Sequence, residues 1–167
     1  MDWRPMRPDD LPAADALGVL VHADHPEEPP VMQDRLALAT PWCFVLAGQL
    51  GVQGYCVAHP WGGLLPPGLN TVLGSLPPPD RLHLHDLVVD EGLRGRGLGI
   101  AMVRRLTAQA QAAGFTQIGL IALDPARAFW AAQGYAEESS EPCRRFVHRS
   151  YGADATPMRL RLIPSAP

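Results

Sequence analysis

The chain has 167 residues, 47% of them hydrophobic and 19% charged, with a formal net charge of −3 and a pI of about 6.0. These values predict one globular domain over residues 1–167 with a sizeable core. Because the chain carries no net positive charge, we expect no nucleic-acid partner. No apolar run approaches the ~20 residues of a membrane span, so we expect no membrane partner either.

The first forty residues predict a short strand and two helices. Residues 3–6 are a candidate edge strand, since Pro5 would not fit a central one. Asp9 and Asp10 are predicted to cap the first helix, which has apolar residues on one face up to Val21. A second helix is predicted over residues 31–39.

The next forty residues predict a hairpin followed by a long connection. Strands at 42–47 and 52–58 are joined by a glycine-containing turn. The segment 59–80 contains six prolines and four glycines, and a connection of this length tends to be functional or disordered. A helical turn is predicted within it, from Leu69 to Leu73.

A strand, a glycine-rich turn and a helix follow between residues 82 and 114. Residues 82–89 are apolar and free of glycine and proline, as in a strand. The turn runs to Gly99, and the apolar period of the following residues predicts a helix that ends at Gly114. The first amides of a helix lack internal partners and carry partial positive charge, and glycines let an anion approach them. This order therefore predicts an anion site.

Two common phosphate motifs do not fit this turn. A Walker P-loop needs Gly-Lys-Ser/Thr, and the turn has no Lys, Ser or Thr. A dinucleotide fingerprint needs a third glycine where Ile100 stands. The pattern that remains is Arg-x-x-Gly-x-Gly, from Arg94 through Gly97 to Gly99.

The last third of the chain predicts a buried strand at 116–123 and then a helix. Asp124 is the predicted N-cap of that helix, which carries Phe129 and Trp130 and ends near Gly134. The remaining predictions are short strands at 135–138 and 144–147, a final strand at 158–163 and a loose tail from Pro164.

The Arg94 to Gly99 turn, the preceding Asp86-Leu-Val-Val and the Phe129-Trp130 to Gly134-Tyr135 stretch together resemble the GNAT superfamily of acyl-CoA-dependent N-acetyltransferases. The resemblance implies an α/β (α+β) fold: a mixed, twisted sheet of about six to seven strands with helices on both faces. Its central parallel strands, 82–89 and 116–123, are expected to splay apart. It also implies a CoA-binding core at 82–138 and three acceptor-side segments, at 25–30, 59–80 and 139–157.

The resemblance implies acetyl-CoA as cosubstrate, with loop amides on its pyrophosphate and the preceding strand along its pantetheine arm. The implied CoA-binding residues are Leu87, Val88, Val89, Arg94, Gly95, Arg96, Gly97, Leu98, Gly99, Ile100, Phe129 and Trp130.

Three side chains on the central strand are candidates for the general base: His83, His85 and Asp86. In several small-molecule members of the family a Glu stands where this chain has His85. An imidazole, with an ordinary pKa of about 6.5, can accept a proton near neutral pH. The alternative is that both histidines are structural. Two histidines at this spacing could bind a metal, but the chemistry needs none and no metal is predicted.

The sequence departs from the family at Trp130, where many members have a Tyr that protonates the leaving thiolate. An indole N–H does not titrate usefully, so Trp130 cannot take that part. Either the thiolate leaves unassisted or another hydroxyl, from Tyr55 or Tyr135, assists it. Simple core packing is the alternative interpretation of Phe129 and Trp130.

The acceptor is predicted to be the primary amine of a small molecule, attacked directly in a ternary complex. Glu27 and Glu28 could hold a cationic amine, although an acidic solvated loop is the more ordinary interpretation. Three alternatives stay open: an acceptor that is a protein N-terminus or lysine, an inactive acyl-CoA-binding regulatory domain, and another kind of nucleotide-phosphate-binding protein. The family resemblance also allows a homodimer.

Three cysteines, Cys43, Cys56 and Cys143, are odd in number and widely spaced. This pattern predicts free thiols in a reducing compartment. The first residues show no signal-peptide pattern, and the expected location is cytoplasmic.

Overall fold

The computed structural model describes residues 1–163, and the tail predicted to be loose lies outside the described residues. Seven strands form one sheet: β1 (Asp2–Pro5), β2 (Cys43–Gly48), β3 (Gly51–Trp61), β4 (Arg81–Val89), β5 (Gln117–Leu123), β6 (Ala136–Glu137) and β7 (Ala155–Arg161). The described chain also forms five α-helices: α1 (Leu11–Val21), α2 (Pro29–Ala39), α3 (Leu98–Ala112), α4 (Arg127–Ala132) and α5 (Glu141–Tyr151). The predicted α/β class with a mixed, open sheet is confirmed.

The strand order is β1-β2-β3-β4-β5-β7-β6. β1 lies at an edge and pairs antiparallel with β2, so the edge position predicted from Pro5 is confirmed. β2 and β3 form the predicted hairpin, which has a register shift between Leu46 and Ala47. β5 and β6 each pair antiparallel with β7. The splay of the two central strands stays a prediction.

The described chain divides into two compact units, and the single-domain assignment stays a prediction. The first unit contains residues 1–59, 70–75 and 84–102. Its core is made by apolar side chains of α1, α2, β2, β3 and β4, among them Ala14, Leu36, Val45, Val57 and Val88. These side chains hold two helices over the strands that carry the polar residues described below.

The second unit contains residues 60–69, 76–83 and 103–163 of the described chain. In it the strand predicted at 144–147 is wrong, because these residues belong to α5. Cys143 and Val147, four residues apart, pack on Ala155 of β7, which is the spacing of one helix face. The four residues 144–147 alone are too few to show the four-residue spacing of a helix face. The segment at 139–157, predicted to lie on the acceptor side, therefore contains a helix.

Three local predictions are also wrong. Asp10 makes no side-chain cap to α1 and Asp124 makes none to α4; Asp124 instead begins a short 3-10 turn over Asp124–Ala126. The predicted helical turn at Leu69 to Leu73 is a plain turn in which Asn70 takes a left-handed conformation, with φ of 51°. Asn is one of the residues that tolerate this conformation.

The Asp10 carboxylate binds Arg4 through two hydrogen bonds, of 2.7 and 2.8 Å, and accepts a third from the backbone N–H of Arg7. The hydrogen bond from Arg4 lowers the pKa of Asp10 below its ordinary value. We expect Asp10→Asn to lower the free energy of unfolding by about 1–3 kcal/mol near neutral pH. Because the folded-state pKa is the lower one, this contribution is present above the unfolded pKa and is lost as pH falls through the folded one.

Urea melts at pH 7 and at pH 3 measure this effect, and Asp9→Asn is the matched control. Asp9 is an exposed neighbour of Asp10. The variant and the wild type should differ less in their free energy of unfolding at pH 3 than at pH 7. An equal difference at both pH values would show that the ionised carboxylate of Asp10 is not the source of the stabilisation.

Cys43, Cys56 and Cys143 are free and buried in the structure, so the prediction of free thiols is confirmed. Within residues 1–163 no helix is long and apolar enough to cross a membrane.

Candidate active site

A short turn connects β4 to α3. The Asp90 carboxylate accepts a hydrogen bond from the N–H of Gly92 at 2.9 Å, and the Asp90 carbonyl accepts one from Leu93 at 2.9 Å. Leu93 is buried and anchors the turn, while residues 94–97 are exposed. The loop therefore projects from a fixed base directly before the first turn of α3.

Gly95 and Gly97 both have φ of +76°, in the left-handed region that favours glycine. A Cβ atom added to either would meet no atom within 4 Å. The space above the loop backbone is therefore open to a ligand. The Gly97 carbonyl accepts the hydrogen bond from Ala101 that starts the helix, at 2.9 Å, so the free amides of the first helical turn lie beside this open space.

Two guanidinium groups lie beside the loop backbone. Arg94 Nε donates to the carbonyl of Val89 at 3.2 Å, and Arg96 donates to the carbonyl of Gly92 at 3.4 Å. The indole N–H of Trp3 donates to the carbonyl of Leu98 at 3.0 Å and holds the start of α3. Free amides, a helix N-terminus and two cations are the features of an anion-binding site, and the binding of an anion here stays a prediction.

Asp86 on β4 joins two side chains from distant parts of the chain. One carboxylate oxygen lies 3.0 Å from Nε2 of His22, the residue that follows α1. The other accepts the hydroxyl hydrogen of Tyr55 on β3 at 2.5 Å. Burial is the main reason why the pKa of Tyr55 is raised well above its ordinary value, and the charge of Asp86 adds to it. Tyr55 therefore stays protonated, and its hydroxyl group donates its hydrogen bond to Asp86.

His85, the next residue toward the start of β4, forms a second imidazole–carboxylate pair. Its Nε2 lies 2.7 Å from a carboxylate oxygen of Glu27, in the α1–α2 segment. The other oxygen of Glu27 accepts from the backbone N–H of Asn70 at 2.8 Å, and the Asn70 side chain accepts from the N–H of Glu28 at 2.8 Å. These bonds tie the α1–α2 segment to residue 70 of the long connection.

One member of each pair, His22 and Glu27, has a shifted pKa. The hydrogen bond to Asp86 raises the pKa of His22 although burial opposes this. Burial works against ionisation of Glu27, but the hydrogen bond and charge of His85, with the N–H of Asn70, lower its pKa overall. The surroundings therefore favour the charged forms of His22 and Glu27.

His83, the third predicted base, is buried on β4 with 2% of its surface exposed. His59 adds an imidazole that the sequence spacing did not reveal: its ring centroid lies 6.3 Å from that of His85. His59, His83 and His85 carry the donor atoms of a group that could hold a metal ion. That no metal is needed stays a prediction.

The two predicted aromatic residues belong to the second unit. Trp130 is 7% exposed and makes edge-to-face contacts with Phe129 at 4.9 Å and with Tyr135 at 5.3 Å between ring centroids. This packing accounts for their burial, and a role for Phe129 and Trp130 in CoA binding stays a prediction.

The sequence analysis missed His22 and His59, while Glu27 and Tyr55 were considered in other roles. Along the chain, Asp86 lies 64 positions from His22 and 31 positions from Tyr55. His85 lies 58 positions from Glu27. A local sequence pattern cannot predict contacts between residues that lie so far apart along the chain. A polar residue directly after an apolar helix was the only signal for His22.

The family profile described as "Acetyltransferase (GNAT) family" matches residues 9–135. A protein of Oryza sativa subsp. japonica named "Probable glucosamine 6-phosphate N-acetyltransferase 2" is 43% identical over 56 residues. That match spans 34% of this chain and 34% of the rice protein, so it covers only about a third of its length.

Solved structures show the same fold. A GNAT-like decarboxylase, GphF, in complex with isobutyryl-CoA has a TM-score of 0.81 at 18% identity, over 98% of this chain and 100% of that chain. Naa20 of Chaetomium thermophilum in complex with a bisubstrate analogue has a TM-score of 0.71 at 23% identity, over 97% of this chain and 87% of that chain.

Proposed function

The chain belongs to the acetyltransferase (GNAT) family, and on this premise we propose that it is an N-acetyltransferase that moves an acetyl group from acetyl-CoA to the primary amine of a small molecule. The reaction is a direct attack of the amine on the thioester in a ternary complex. The observation that carries the proposal is the open, cationic loop at 94–99, set between a strand and the start of a helix.

The donor side of the proposal rests on this loop. Backbone N–H groups at Gly95 to Gly99, with Arg94 and Arg96, would hold the pyrophosphate, and Leu98 and Ile100 lie in the first turn of α3 beside it. The pantetheine arm would run back along Leu87, Val88 and Val89. Leu87 and Val89 are only partly buried, as a strand that receives a ligand requires. The fold neighbour GphF was solved with an acyl-CoA, which supports a donor of this class.

The acceptor side of the proposal rests on the two imidazole–carboxylate pairs. Glu27 and Asp86 place negative charge beside β4, which suits an ammonium group that arrives and is then deprotonated. His85 and Asp86 therefore stay candidates for the general base, and His83 stays one on sequence grounds alone. The rice relative is named for a small amino sugar phosphate, which supports an acceptor of small-molecule size.

Calorimetric titration with acetyl-CoA and CoA tests the donor half, with ATP and NAD as controls. We expect binding of the two CoA species only. Thiol release from acetyl-CoA with a panel of amino sugar phosphates, polyamines, aromatic amines and peptides then tests the acceptor half. Turnover with peptides alone would move the acceptor to proteins, and CoA binding without any turnover would favour a regulatory domain. Absence of CoA binding would overturn the proposal.

Trp130→Phe is expected to keep appreciable activity, since an indole N–H carries no titratable proton. The loss should be smaller than the roughly 10²-fold that removal of a general acid causes. Steady-state kcat of the two proteins measures this. Tyr135→Phe, which removes the hydroxyl of the aromatic neighbour of Trp130, is the comparison variant. A folded Trp130→Phe protein without activity would mean that the indole has a specific catalytic or binding task.

A further inference from the structure

The Asp86 carboxylate is held from both sides, and this arrangement fixes the orientation of His22. Tyr55 donates to one oxygen at 2.5 Å, and His22 Nε2 lies 3.0 Å from the other. Each oxygen thus has its own partner, so the carboxylate cannot rotate without breaking one of two charge-assisted hydrogen bonds. A histidine bound in this way keeps its tautomer, because the N–H on Nε2 points at Asp86.

The hydroxyl end of this arrangement is rigid. Tyr55 is 1% exposed and belongs to the core of the first unit. Gly18 of α1 lies against it, and a Cβ atom at Gly18 would come within 2.8 Å of the Tyr55 hydroxyl oxygen. The close approach of helix and tyrosine therefore depends on the absence of a side chain at position 18. His22, the residue that follows α1, donates its backbone N–H to the carbonyl of Gly18 at 2.8 Å.

Of the two imidazoles paired with carboxylates here, His22 is the more exposed to a ligand. Its side chain is 27% exposed, whereas that of His85 is 6% exposed and its Nδ1 atom is buried. In neutral His22 the Nε2–H donates to Asp86, which leaves the lone pair on Nδ1 to accept a proton. His85 offers no such accessible nitrogen, because Glu27 takes its Nε2.

The surroundings of His22 raise its pKa, which makes it a stronger base than an isolated imidazole. The hydrogen bond to Asp86 is the largest influence and raises its pKa, burial lowers it, and the charges of Asp86 and Glu27 raise it further. Arg94 acts in the opposite direction. The pKa of His22 is therefore influenced by a charge of the proposed donor loop, Arg94, and by a charge of the proposed acceptor segment, Glu27.

We propose that His22 takes the proton from the acceptor amine, with Asp86 and Tyr55 as positioning residues; this inference rests on the proposed function. The amine nitrogen forms a bond to the thioester carbonyl carbon, the C–S bond breaks, and the CoA thiolate leaves with its electron pair. One proton of the attacking nitrogen moves to Nδ1 of His22. Asp86 stabilises the resulting imidazolium, which returns its proton to solvent.

The first test compares the kinetics of His22→Ala and His22→Gln with those of the wild type. We expect kcat to fall roughly 10²-fold in both, the lower end of what a general base contributes. The KM for acetyl-CoA and its calorimetric Kd should not change, and added imidazole should restore part of kcat to His22→Ala. Leu20→Ala, at an exposed position of α1 two residues before His22, is the control that should keep full activity.

The second test is the pH dependence. A base is inactive when protonated, so kcat/KM of the wild type should fall as pH falls through the raised pKa of His22. Asp86→Asn removes the charge that raises this pKa, so the acid limb should move to lower pH while kcat decreases. The amine substrate has the same pKa in every experiment, so its own titration does not explain a difference between the wild type and Asp86→Asn. The His22 ring signal in an NMR titration measures the same shift without turnover.

Three outcomes would overturn the inference. They are full kcat in a folded His22→Ala protein, loss of acetyl-CoA binding in that variant, and an acid limb that does not move in Asp86→Asn. A wild-type protein that binds acetyl-CoA but acetylates no amine would instead overturn the proposed function, and the role of His22 with it. The NMR titration distinguishes failure of the inference from failure of the proposed function. It measures the effect of Asp86 on the pKa of His22 whether or not the protein acetylates an amine.

Discussion

Replacing Gly97 by Asp is expected to abolish measurable acetyl-CoA binding in a protein that still folds. Gly97 has φ of +76° and open space above its backbone, where the proposed pyrophosphate would lie. A carboxylate at this position would occupy that space and repel the phosphates. Loss of two charge-assisted hydrogen bonds at about 1.5–3 kcal/mol each corresponds to a roughly 10²- to 10⁴-fold weaker Kd. Calorimetric titration measures it.

Gly114→Asp is the matched control for this experiment. Gly114 also has a positive φ, of +84°, and a Cβ there would likewise meet nothing within 4 Å. The backbone strain and the added charge are therefore similar in the two variants. The control lies after α3 instead of before it and should bind acetyl-CoA as the wild type does. Unchanged affinity in Gly97→Asp would refute the assignment of the loop.

Gly54→Ala is expected to be among the most destabilising single-methyl changes in the first unit. A Cβ atom at Gly54 on β3 would lie 2.7 Å from the carbonyl oxygen of Val88 on β4 and 3.2 Å from Cβ of Leu46. Backbone cannot yield as a flexible side chain can, so the strands must shift. Overpacking of this kind costs about 1–3 kcal/mol, which lowers Tm by roughly 2–12 °C in a chain of this size.

Gly48→Ala provides the comparison within the same hairpin. A Cβ at Gly48 on β2 would have its nearest neighbours at 3.5 Å, an ordinary van der Waals distance. This substitution also reduces the freedom of the unfolded chain, so we expect no loss of Tm. Differential scanning calorimetry of the two variants measures the difference. Equal melting temperatures would show that β3 and β4 do not approach as closely as the structure indicates.

The elements with a clear period were predictable from local sequence. The apolar face of α1, the run of β4 and the helix ended by Gly114 all appear within a few residues of the expected bounds. α5 was missed because only Cys143 and Val147 mark its buried face, and a spacing of four requires a longer window than the one considered. The predicted cap at Asp10 failed because Arg4 offers its carboxylate a stronger, charged partner.

The sequence by itself determined the family, the sheet with its helices, and the glycine-rich loop with two arginines at 94–99. The physical reason is that this loop is contiguous: strand, glycines, arginines and helix start are neighbours in the chain, and the donors are mainly backbone groups. Only the tertiary structure decided which side chains surround Asp86 and His85. His22, Tyr55 and Glu27 reach them across 64, 31 and 58 positions. Packing of α1 and α2 on the strands brings these residues together, and no local pattern encodes that packing.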